Sequence, residues 1–244
     1  MDFKKILIGF IVLLVVIWIY RYFFMDPTAS TLLDYGDGKD TVIVNSTKLS
    51  GNSSATDFTY SFWIYVNNWN YKLGKKKTII KRMGTGGDLS PEIYLDNYTN
   101  DLAVNLNIYK NGESGNSGTD SENMIVSRIT NVPLQKWTNI TITTNNRSID
   151  TYIDGKLVKT SLLAGPVKVD GTAGIEICPV QDGEVGFDGN IAKVRYYSRT
   201  MNPRECYELY KEGYSGSLLG NILNKYRIKF SFITDNKETA SLEI

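Results

Sequence analysis

The chain of 244 residues carries 27 Lys and Arg against 26 Asp and Glu, and its formal charge of +1 argues against a nucleic-acid binder, which shows a strong basic excess. It contains no His, which removes the commonest general base and metal ligand. Its two cysteines, Cys178 and Cys206, are too few for a disulfide scaffold, and we expect one strand thiol and one helical thiol in preference to a bridge between them.

The N-terminal segment from Ile6 to Phe24 is apolar or aromatic apart from Arg21. A membrane-spanning helix needs about 20 such residues, and an arginine near one end can extend its charged group to the interface. We therefore expect residues 6–24 to form a single-pass transmembrane anchor in the lipid bilayer. A cleaved signal peptide is the alternative, but the following sequence, DPTAS, is a poor cleavage site.

Lys4 and Lys5 precede this span, whereas only Arg21 follows it closely. The positive-inside rule then predicts that residues 1–5 are cytoplasmic. The remainder of the chain is expected on the lumenal or extracellular side, or on the matching side of an enveloped particle. Residues 25–40 are largely polar and contain Pro27, Gly36 and Gly38, which predicts a short stalk.

From residue 41 onward, short runs in which apolar and polar residues alternate predict β-strands. In Phe58–Val66 every second residue is apolar or aromatic and shares one face. Alternation continues after Trp137 and again around Ile149–Asp154, and Asp154-Gly155 predicts a type I′ hairpin over Thr151–Thr160. Further strands are predicted at Thr41–Val44, Thr78–Lys81, Glu92–Leu95, Leu102–Tyr109, Met124–Ile129, Val167–Val169, Gly174–Cys178 and Gly189–Tyr197. This succession of strands is typical of an all-β sandwich or barrel.

One helix is predicted, over Asn202–Glu212. Asn202 is a favourable N-cap, Pro203 occupies the first helical position, and Glu205 stands three residues after the cap. Residues 215–244 form a C-terminal extension whose alternating run predicts a hairpin, with strands at Tyr226–Thr234 and Thr239–Ile244. Its apolar face is expected to pack on the sandwich, the stalk or a neighbouring protein.

Three segments carry a resemblance to a known family. These are FTYSFWIYVNNW, VPLQKWTNITITTNNRSIDTYIDGKLV and GFDGNIAKVRYYSRTMNPRECYELYKEGY. Together they resemble the early strand, the central Trp strand with its hairpin, and the closing strand and helix of laminin-G-like or concanavalin-A-like domains. The resemblance covers residues 41–214 and implies an antiparallel jelly-roll β-sandwich. Asn139 departs from the family pattern, because many relatives carry His there.

A domain of this kind behind an N-terminal anchor is also similar to membrane-associated proteins of large double-stranded DNA viruses. That similarity implies a virion internal membrane as one location. Some concanavalin-A-like relatives are glycosidases, but their Glu-x-Asp-x-x-Glu pattern is absent. The nearest pairs, Glu92 with Asp96 and Glu184 with Asp188, lack the spacing that brings two carboxylates about 5 Å apart. We expect no enzymatic activity and no catalytic residue.

Some laminin-G-like domains bind calcium through aspartates, so the resemblance makes the loop acids candidate ligands: Asp96, Asp120, Glu122 and Asp188. Solvated loop acids are the alternative, and no other cofactor is expected. The basic run Lys72–Arg82 is expected to be a solvated turn, with contact to acidic lipids or an acidic partner as the alternative. Glycosylation sequons occur at Asn45, Asn52, Asn97, Asn139 and Asn146, of which the last two are expected on an outward face and a turn.

Two functions fit these observations. The favoured hypothesis is a non-enzymatic structural or interaction module that tethers a membrane to an adjacent protein layer such as a viral capsid. The alternative is a lectin-like attachment protein that binds glycans. For that alternative the candidate contact residues are Trp69, Tyr94 and Tyr98, which combine aromatic rings with nearby loops.

Overall fold

The computed structural model describes residues 9–18, 26–49, 51, 54–109, 121–181, 183–215, 229–234 and 237–243. Residues 9–18 form helix α1, in which the large apolar side chains from Phe10 to Trp18 are 46–64% exposed. No helix within these described ranges is long and apolar enough to cross a membrane. The other residues of the expected anchor, 6–8 and 19–24, lie outside the described part of the chain. The anchor over residues 6–24 therefore stays a prediction.

The described residues contain fourteen strands, of which the first twelve form two facing sheets. In chain order they are β1 (Ala29–Asp37), β2 (Val42–Val44), β3 (Thr59–Asn68), β4 (Lys77–Met83), β5 (Leu89–Leu95), β6 (Leu102–Tyr109), β7 (Ser121–Ile129), β8 (Thr138–Asn145), β9 (Ser148–Ile153), β10 (Lys156–Leu162), β11 (Ile175–Ile177), β12 (Asp188–Tyr197), β13 (Lys229–Thr234) and β14 (Lys237–Glu243). Sheet A has the order β1-β12-β3-β8-β9-β10, and sheet B has the order β2-β11-β4-β5-β6-β7. Neighbouring strands are antiparallel, so the expected all-β antiparallel sandwich is confirmed.

The core lies between the sheets. Phe58, Tyr60, Phe62, Ile64 and Val66 are at most 1% exposed, which confirms the face predicted from their alternation. They pack in one cluster with inward side chains of sheet B. Because each fully buried large apolar side chain contributes about 1.5–3 kcal/mol, this interface is the main source of stability.

The hairpin between β9 and β10 has the predicted turn. Asp154 and Gly155 both have positive φ, at 49° and 71°, as a type I′ turn requires. By contrast, Val167–Val169 is not a strand. Val167 forms an isolated β-bridge with Ile108 of β6. The pairing of β6 with β5 ends at Asn105, so Ile108 lies past the end of that pairing. The strand prediction was wrong here because this segment meets β6 over too short a length to continue the ladder.

The expected stalk is largely an edge strand. Residues 29–37 form β1, which pairs with β12 from Ala29 opposite Tyr197 to Asp37 opposite Asn190. Leu32 and Leu33 pack against the core, while most other side chains of β1 are at least partly exposed. Because β1 is only half covered on one face, the apolar alternation in its sequence is weak. Its polar residues and Gly36 therefore led to the wrong prediction of a stalk.

Helix α2 (Pro203–Lys211) begins as predicted. Asn202 Oδ1 accepts a hydrogen bond from the Glu205 backbone N–H at 3.0 Å, and the Glu205 side chain accepts one from the Asn202 N–H at 2.8 Å. This reciprocal pair is a capping box. The helix lies on the outer face of sheet A, where Cys206 and Leu209 pack against buried residues of β9 and β12. A short 3₁₀ helix spans Ser46–Lys48.

The two thiols lie on opposite sides of sheet A. Cys178 belongs to the core between the sheets, whereas Cys206 lies beneath α2. Both are free and buried, which confirms the expectation of two reduced thiols. Burial raises the pKa of Cys206 to about 12 and also raises the pKa of Cys178.

In the C-terminal extension, β13 and β14 pair antiparallel as a separate two-stranded sheet, which confirms the predicted hairpin. The turn at residues 235–236 and the first part of the alternating run, residues 226–228, lie outside the described residues. The expected packing of its apolar face stays a prediction.

Candidate binding site

The outer face of sheet A carries a continuous row of aromatic rings beside α2. We call it the aromatic strip, and it consists of Tyr35, Trp63, Tyr65, Trp137, Tyr207, Tyr210 and Tyr214. Strand alternation places Trp63 and Tyr65 on the face of β3 that points away from the core. Helix α2 packs over this face and contributes Tyr207 and Tyr210. The strip therefore combines a rigid sheet with one helix and the residues that follow it.

Ring geometry in the strip is close to that of favourable aromatic pairs, whose centroids lie 4.5–7 Å apart. Trp137 and Tyr214 stack at 4.5 Å with an interplanar angle of 10°. Trp63 stacks on Tyr210 at 5.7 Å and 21°, and it meets the edge of Tyr214 at 5.9 Å. Trp63 is buried, whereas Tyr214 is 43% exposed. The buried tryptophan thus holds tyrosine rings that still face solvent.

A cleft of about 300 Å³ opens within the strip. Its lining combines four aromatic residues with charged groups and one glycine: Trp63, Lys136, Trp137, Asp154, Tyr210, Lys211, Gly213 and Tyr214. This volume lies at the lower end of the range for small-ligand pockets, which are typically apolar with a few placed polar groups. The arrangement can accept the apolar face of a small ring and hydrogen-bond its rim.

The hairpin turn beside the cleft is fixed by close packing. A Cβ at Gly155 would lie 3.0 Å from three heavy atoms of Tyr207 and Tyr210 on α2. Asp154 Oδ1 accepts a hydrogen bond from the Asn139 N–H at 2.9 Å, which orients the carboxylate. The turn glycine therefore serves two purposes: it adopts the positive φ and it lets the helix approach.

Three charged groups line the cleft. Lys136 Nζ lies 3.0 Å from Asp154 Oδ2, and this hydrogen-bonded ion pair raises the pKa of Lys136. Lys211 is exposed and its Nζ lies 5.8 Å from the Tyr207 ring centroid. The lining therefore carries two ammonium groups and one carboxylate.

The end of α2 beside the cleft is also neutralised by cations. Arg195 pairs with the Glu212 carboxylate at 2.7 Å, and Lys193 Nζ donates to the Glu212 carbonyl at 3.4 Å. Burial lowers the pKa of Lys193, and the neighbouring Arg195 lowers it further. These contacts offset the negative end of the helix dipole.

The predicted glycan contacts lie elsewhere. Trp69 is half-buried against the core and its ring is 4.5 Å from Lys77 Nζ. Tyr94 is buried on sheet B with Lys76 Nζ 5.2 Å from its ring centroid, whereas Tyr98 is 72% exposed in the following turn. The structure brings them near one end of the sandwich but not into the cleft, and their role in binding stays a prediction.

Of the candidate calcium ligands, Asp96 and Asp188 have described side chains, and each pairs with a different cation. Asp96 pairs with Arg128 and accepts backbone hydrogen bonds from Asn97 and Tyr98. Burial alone would raise the pKa of Asp96, but these donors outweigh it and lower that pKa. Asp188 pairs with Lys39 at 3.0 Å. In the described part of the chain no cluster of three acidic or thiol ligands occurs. Asp120 and the side chain of Glu122 lie outside it, so calcium binding stays a prediction.

The basic run Lys72–Arg82 is not a solvated turn over most of its length. Its second half forms β4, where Lys77 and Arg82 are fully buried. Lys76 pairs with Glu92 and lies 3.6 Å from Glu184, and Lys81 lies 3.2 Å from Glu184. The expectation was wrong because the acidic partners come from β5 and from a loop more than 100 residues away.

Of the sequons, Asn45 and Asn146 are exposed, Asn97 is partly exposed and Asn52 lies outside the described residues. Asn139 is fully buried and its Nδ2 donates to the Phe62 carbonyl at 3.3 Å. The prediction that a glycan fits at Asn139 is therefore wrong. Its side chain points outward from the sandwich, but at this position that face is covered.

The aromatic strip was missed in the sequence, although one signal was present. Tyr207 and Tyr210 are spaced i and i+3, which places them on one face of the predicted helix, and Tyr214 follows shortly after it. Their meeting with Trp63 and Trp137 depends on where α2 lies on sheet A. Local spacing cannot specify that docking.

Comparison with known proteins agrees with the fold. The family model described as the concanavalin A-like lectin/glucanases superfamily matches residues 36–206. The binding domain of botulinum neurotoxin serotype G superposes with a TM-score of 0.51 at 16% identity, covering 76% of this chain and 50% of that one. The binding domain of botulinum neurotoxin DC in complex with SialylT gives 0.51 at 19%, covering 79% and 44%. This chain thus spans half or less of these structures, and the likeness confirms the jelly-roll fold.

Proposed function

The chain belongs to the concanavalin A-like lectin/glucanase superfamily, and from this premise we propose that it is a non-enzymatic, membrane-held protein that binds glycans in the cleft of the aromatic strip. The observation that carries the proposal is the cleft itself, in which Tyr214 presents a partly exposed ring braced by Trp137. Sugar rings have an apolar face that packs on aromatic rings and a rim of hydroxyls that needs polar partners. The cleft supplies both.

The absence of catalysis is part of the proposal, and the charge state of Glu184 supports it. Glu184, in the loop before β12, and Glu92 of β5 both contact Lys76. Burial alone would raise the pKa of Glu184, but the Thr78 hydroxyl, Lys76 and Lys81 outweigh it and lower that pKa. A general acid must hold its proton near neutral pH. Glu184 is held ionised, so it is unsuited to the general-acid role.

Membrane attachment through residues 6–24, with residues 1–5 cytoplasmic, remains part of the proposal. Helix α1 supports it because its apolar residues are exposed on all sides, and a helix that is apolar all round requires a lipid or protein environment. Resistance to carbonate extraction and protection of the N-terminus from external protease are the expected results. Release by carbonate would refute the anchor.

The glycan proposal is tested with the full chain in nanodiscs, by glycan array and by quenching of tryptophan fluorescence. Y214A is expected to weaken sugar binding about tenfold, because one ring face is removed and a tenfold change is about 1.4 kcal/mol. Y98A is the matched control, since Tyr98 is an exposed tyrosine outside the cleft. Loss of binding in Y98A but not in Y214A would move the site to the loops around Trp69 and Tyr98.

A second candidate function is the tethering of the membrane to an adjacent protein layer such as a viral capsid. It is favoured by the edge strand β10, where Leu157 and Val158 are each 51% exposed and Leu162 is 84% exposed. An edge strand with exposed apolar side chains can be extended by a strand of a partner protein. The substitution L162K is expected to detach the protein from such a layer without affecting sugar binding, as measured by cross-linking in the intact assembly. Unchanged cross-links would refute the role of this edge.

A further inference from the structure

The hydrogen-bonding groups of the cleft also indicate which sugars it takes. Resting on the proposed glycan-binding function, we propose that the cleft selects acidic saccharides, whose carboxylate or sulfate group is bound by Lys211 and Lys136. The inference depends on an imbalance between donors and acceptors around the aromatic rings.

The carboxylate of the cleft is already partly engaged. Asp154 is the one carboxylate among the lining residues. Its Oδ1 accepts from the Asn139 N–H at 2.9 Å, and its Oδ2 lies 3.0 Å from Lys136 Nζ. A neutral sugar hydroxyl both donates and accepts, and lectin sites for neutral sugars need free acceptors to receive those hydroxyl protons. Each oxygen of Asp154 keeps one further lone-pair site, but Asp154 is the single carboxylate of the lining against two ammonium groups.

The donor side is open. Lys136 has three N–H groups, of which one is used by Asp154, and its side chain is 62% exposed. Lys211 is exposed and contacts the Tyr207 ring without a carboxylate partner among the described residues. Trp63 and Trp137 also line the cleft, and an indole N–H can only donate.

The surrounding charges do not cancel this excess. Glu212 is paired with Arg195, and Lys193 donates to the Glu212 carbonyl and also faces Asp34. The nearest anions outside the lining are therefore matched by their own cations, which leaves Lys136 and Lys211 against Asp154 within the cleft. An oxyanion accepts hydrogen bonds without donating and is the group that this inventory satisfies best.

The test measures sugar affinity by titration calorimetry on the full chain in nanodiscs made of neutral lipid. Lactose, 3′-sialyllactose and 3′-sulfolactose are the probes, so that the shared ring is constant and the carboxylate and sulfate arms are separate. At least one acidic probe is expected to bind about tenfold more tightly than lactose, with the advantage reduced by added salt. The arm with the larger advantage identifies the group.

The variant K211Q is expected to remove most of this advantage, because it lowers the affinity for the acidic probes much more than the affinity for lactose. K48Q, a change of an exposed lysine in the 3₁₀ helix, is the control and should keep the advantage. Lactose binding as tight as that of both acidic probes would overturn the acidic selectivity and leave the glycan function standing. Binding of none of the three probes or of any sugar on the array would overturn both.

Discussion

Glu184 offers a sharp test of the charged network on sheet B. Its side chain is 12% exposed and is held by the Thr78 hydroxyl, by Lys81 at 3.2 Å and by Lys76 at 3.6 Å. The substitution E184Q keeps the shape and one acceptor oxygen but removes the negative charge. Lys76 then keeps Glu92 as a partner, whereas Lys81 loses its carboxylate.

The expected cost follows from these contacts. A hydrogen bond to a charged group contributes about 1.5–3 kcal/mol, and breaking a buried ion pair costs about 3–5 kcal/mol. Because Lys76 and Lys81 remain partly exposed, solvent screens the loss and we expect about 2–3 kcal/mol. For a domain of this size, this loss lowers Tm by roughly 4–12 °C.

The effect should depend on pH in a defined direction. The folded state lowers the pKa of Glu184, so its stabilisation is fully present above the unfolded value of about 4.3 and is lost as pH falls through the folded pKa. The free energy of unfolding of E184Q should therefore differ from that of the wild type by a constant amount near neutral pH. Below about pH 4 the two values should converge.

The assay is urea unfolding followed by tryptophan fluorescence at several pH values. E208Q is the control, because Glu208 pairs with Arg204 on the exposed face of α2 and its loss should cost less than about 0.5 kcal/mol. A difference for E184Q that equals the control, or that persists unchanged at pH 3, would refute the reasoning.

Three further predictions concern the packing of the turn, the thiols and the helix start. G155A should destabilise the protein more than G183A, because both glycines have positive φ but only a methyl at Gly155 would lie 3.0 Å from atoms of α2; chemical denaturation of both variants measures the difference. Cys178 and Cys206 should resist a thiol reagent in the folded protein and both react in denaturant, and absorbance of the released chromophore counts them. N202A should cost about 0.5–2 kcal/mol by removing the capping box, whereas an unchanged thermal midpoint would contradict that role.

The parts of the fold that the sequence predicted are those with a complete local signal. Phe58–Val66 alternates without interruption, and all five inward residues are in the core. Asn202, Pro203 and Glu205 specify the start of α2 through backbone hydrogen bonds within one turn. In such cases the residues that determine the structure are also neighbours in the sequence.

Other parts depend on contacts between distant residues and could not be predicted. The sequence predicts that Lys81 belongs to a solvated basic run, whereas β4 places it beside Glu184. Asn139 reads as exposed because its face points away from the core, although that face is covered. The cleft is the extreme case, because Trp137 and Tyr214 meet only after α2 has docked on sheet A.

The register of sheet A adds a consequence for the proposed topology. Asp26 pairs with Arg199 at 2.8 Å and β1 begins at Ala29, so residues 25–28 alone connect the proposed span to the sandwich and extend over at most about 14 Å. Ala29 pairs with Tyr197, which pairs with Thr59. The proposed topology therefore places this end of sheet A closest to the bilayer.

The cleft lies toward the other end of the same sheet. Tyr65 is six residues beyond Thr59 along β3, a distance of about 20 Å at 3.3 Å per residue, and its ring contacts Trp137. On the proposed topology the short connection holds one end of the sandwich at the membrane and directs the cleft away from it. A glycan on a facing surface can then reach Tyr214 without competing with the lipid headgroups.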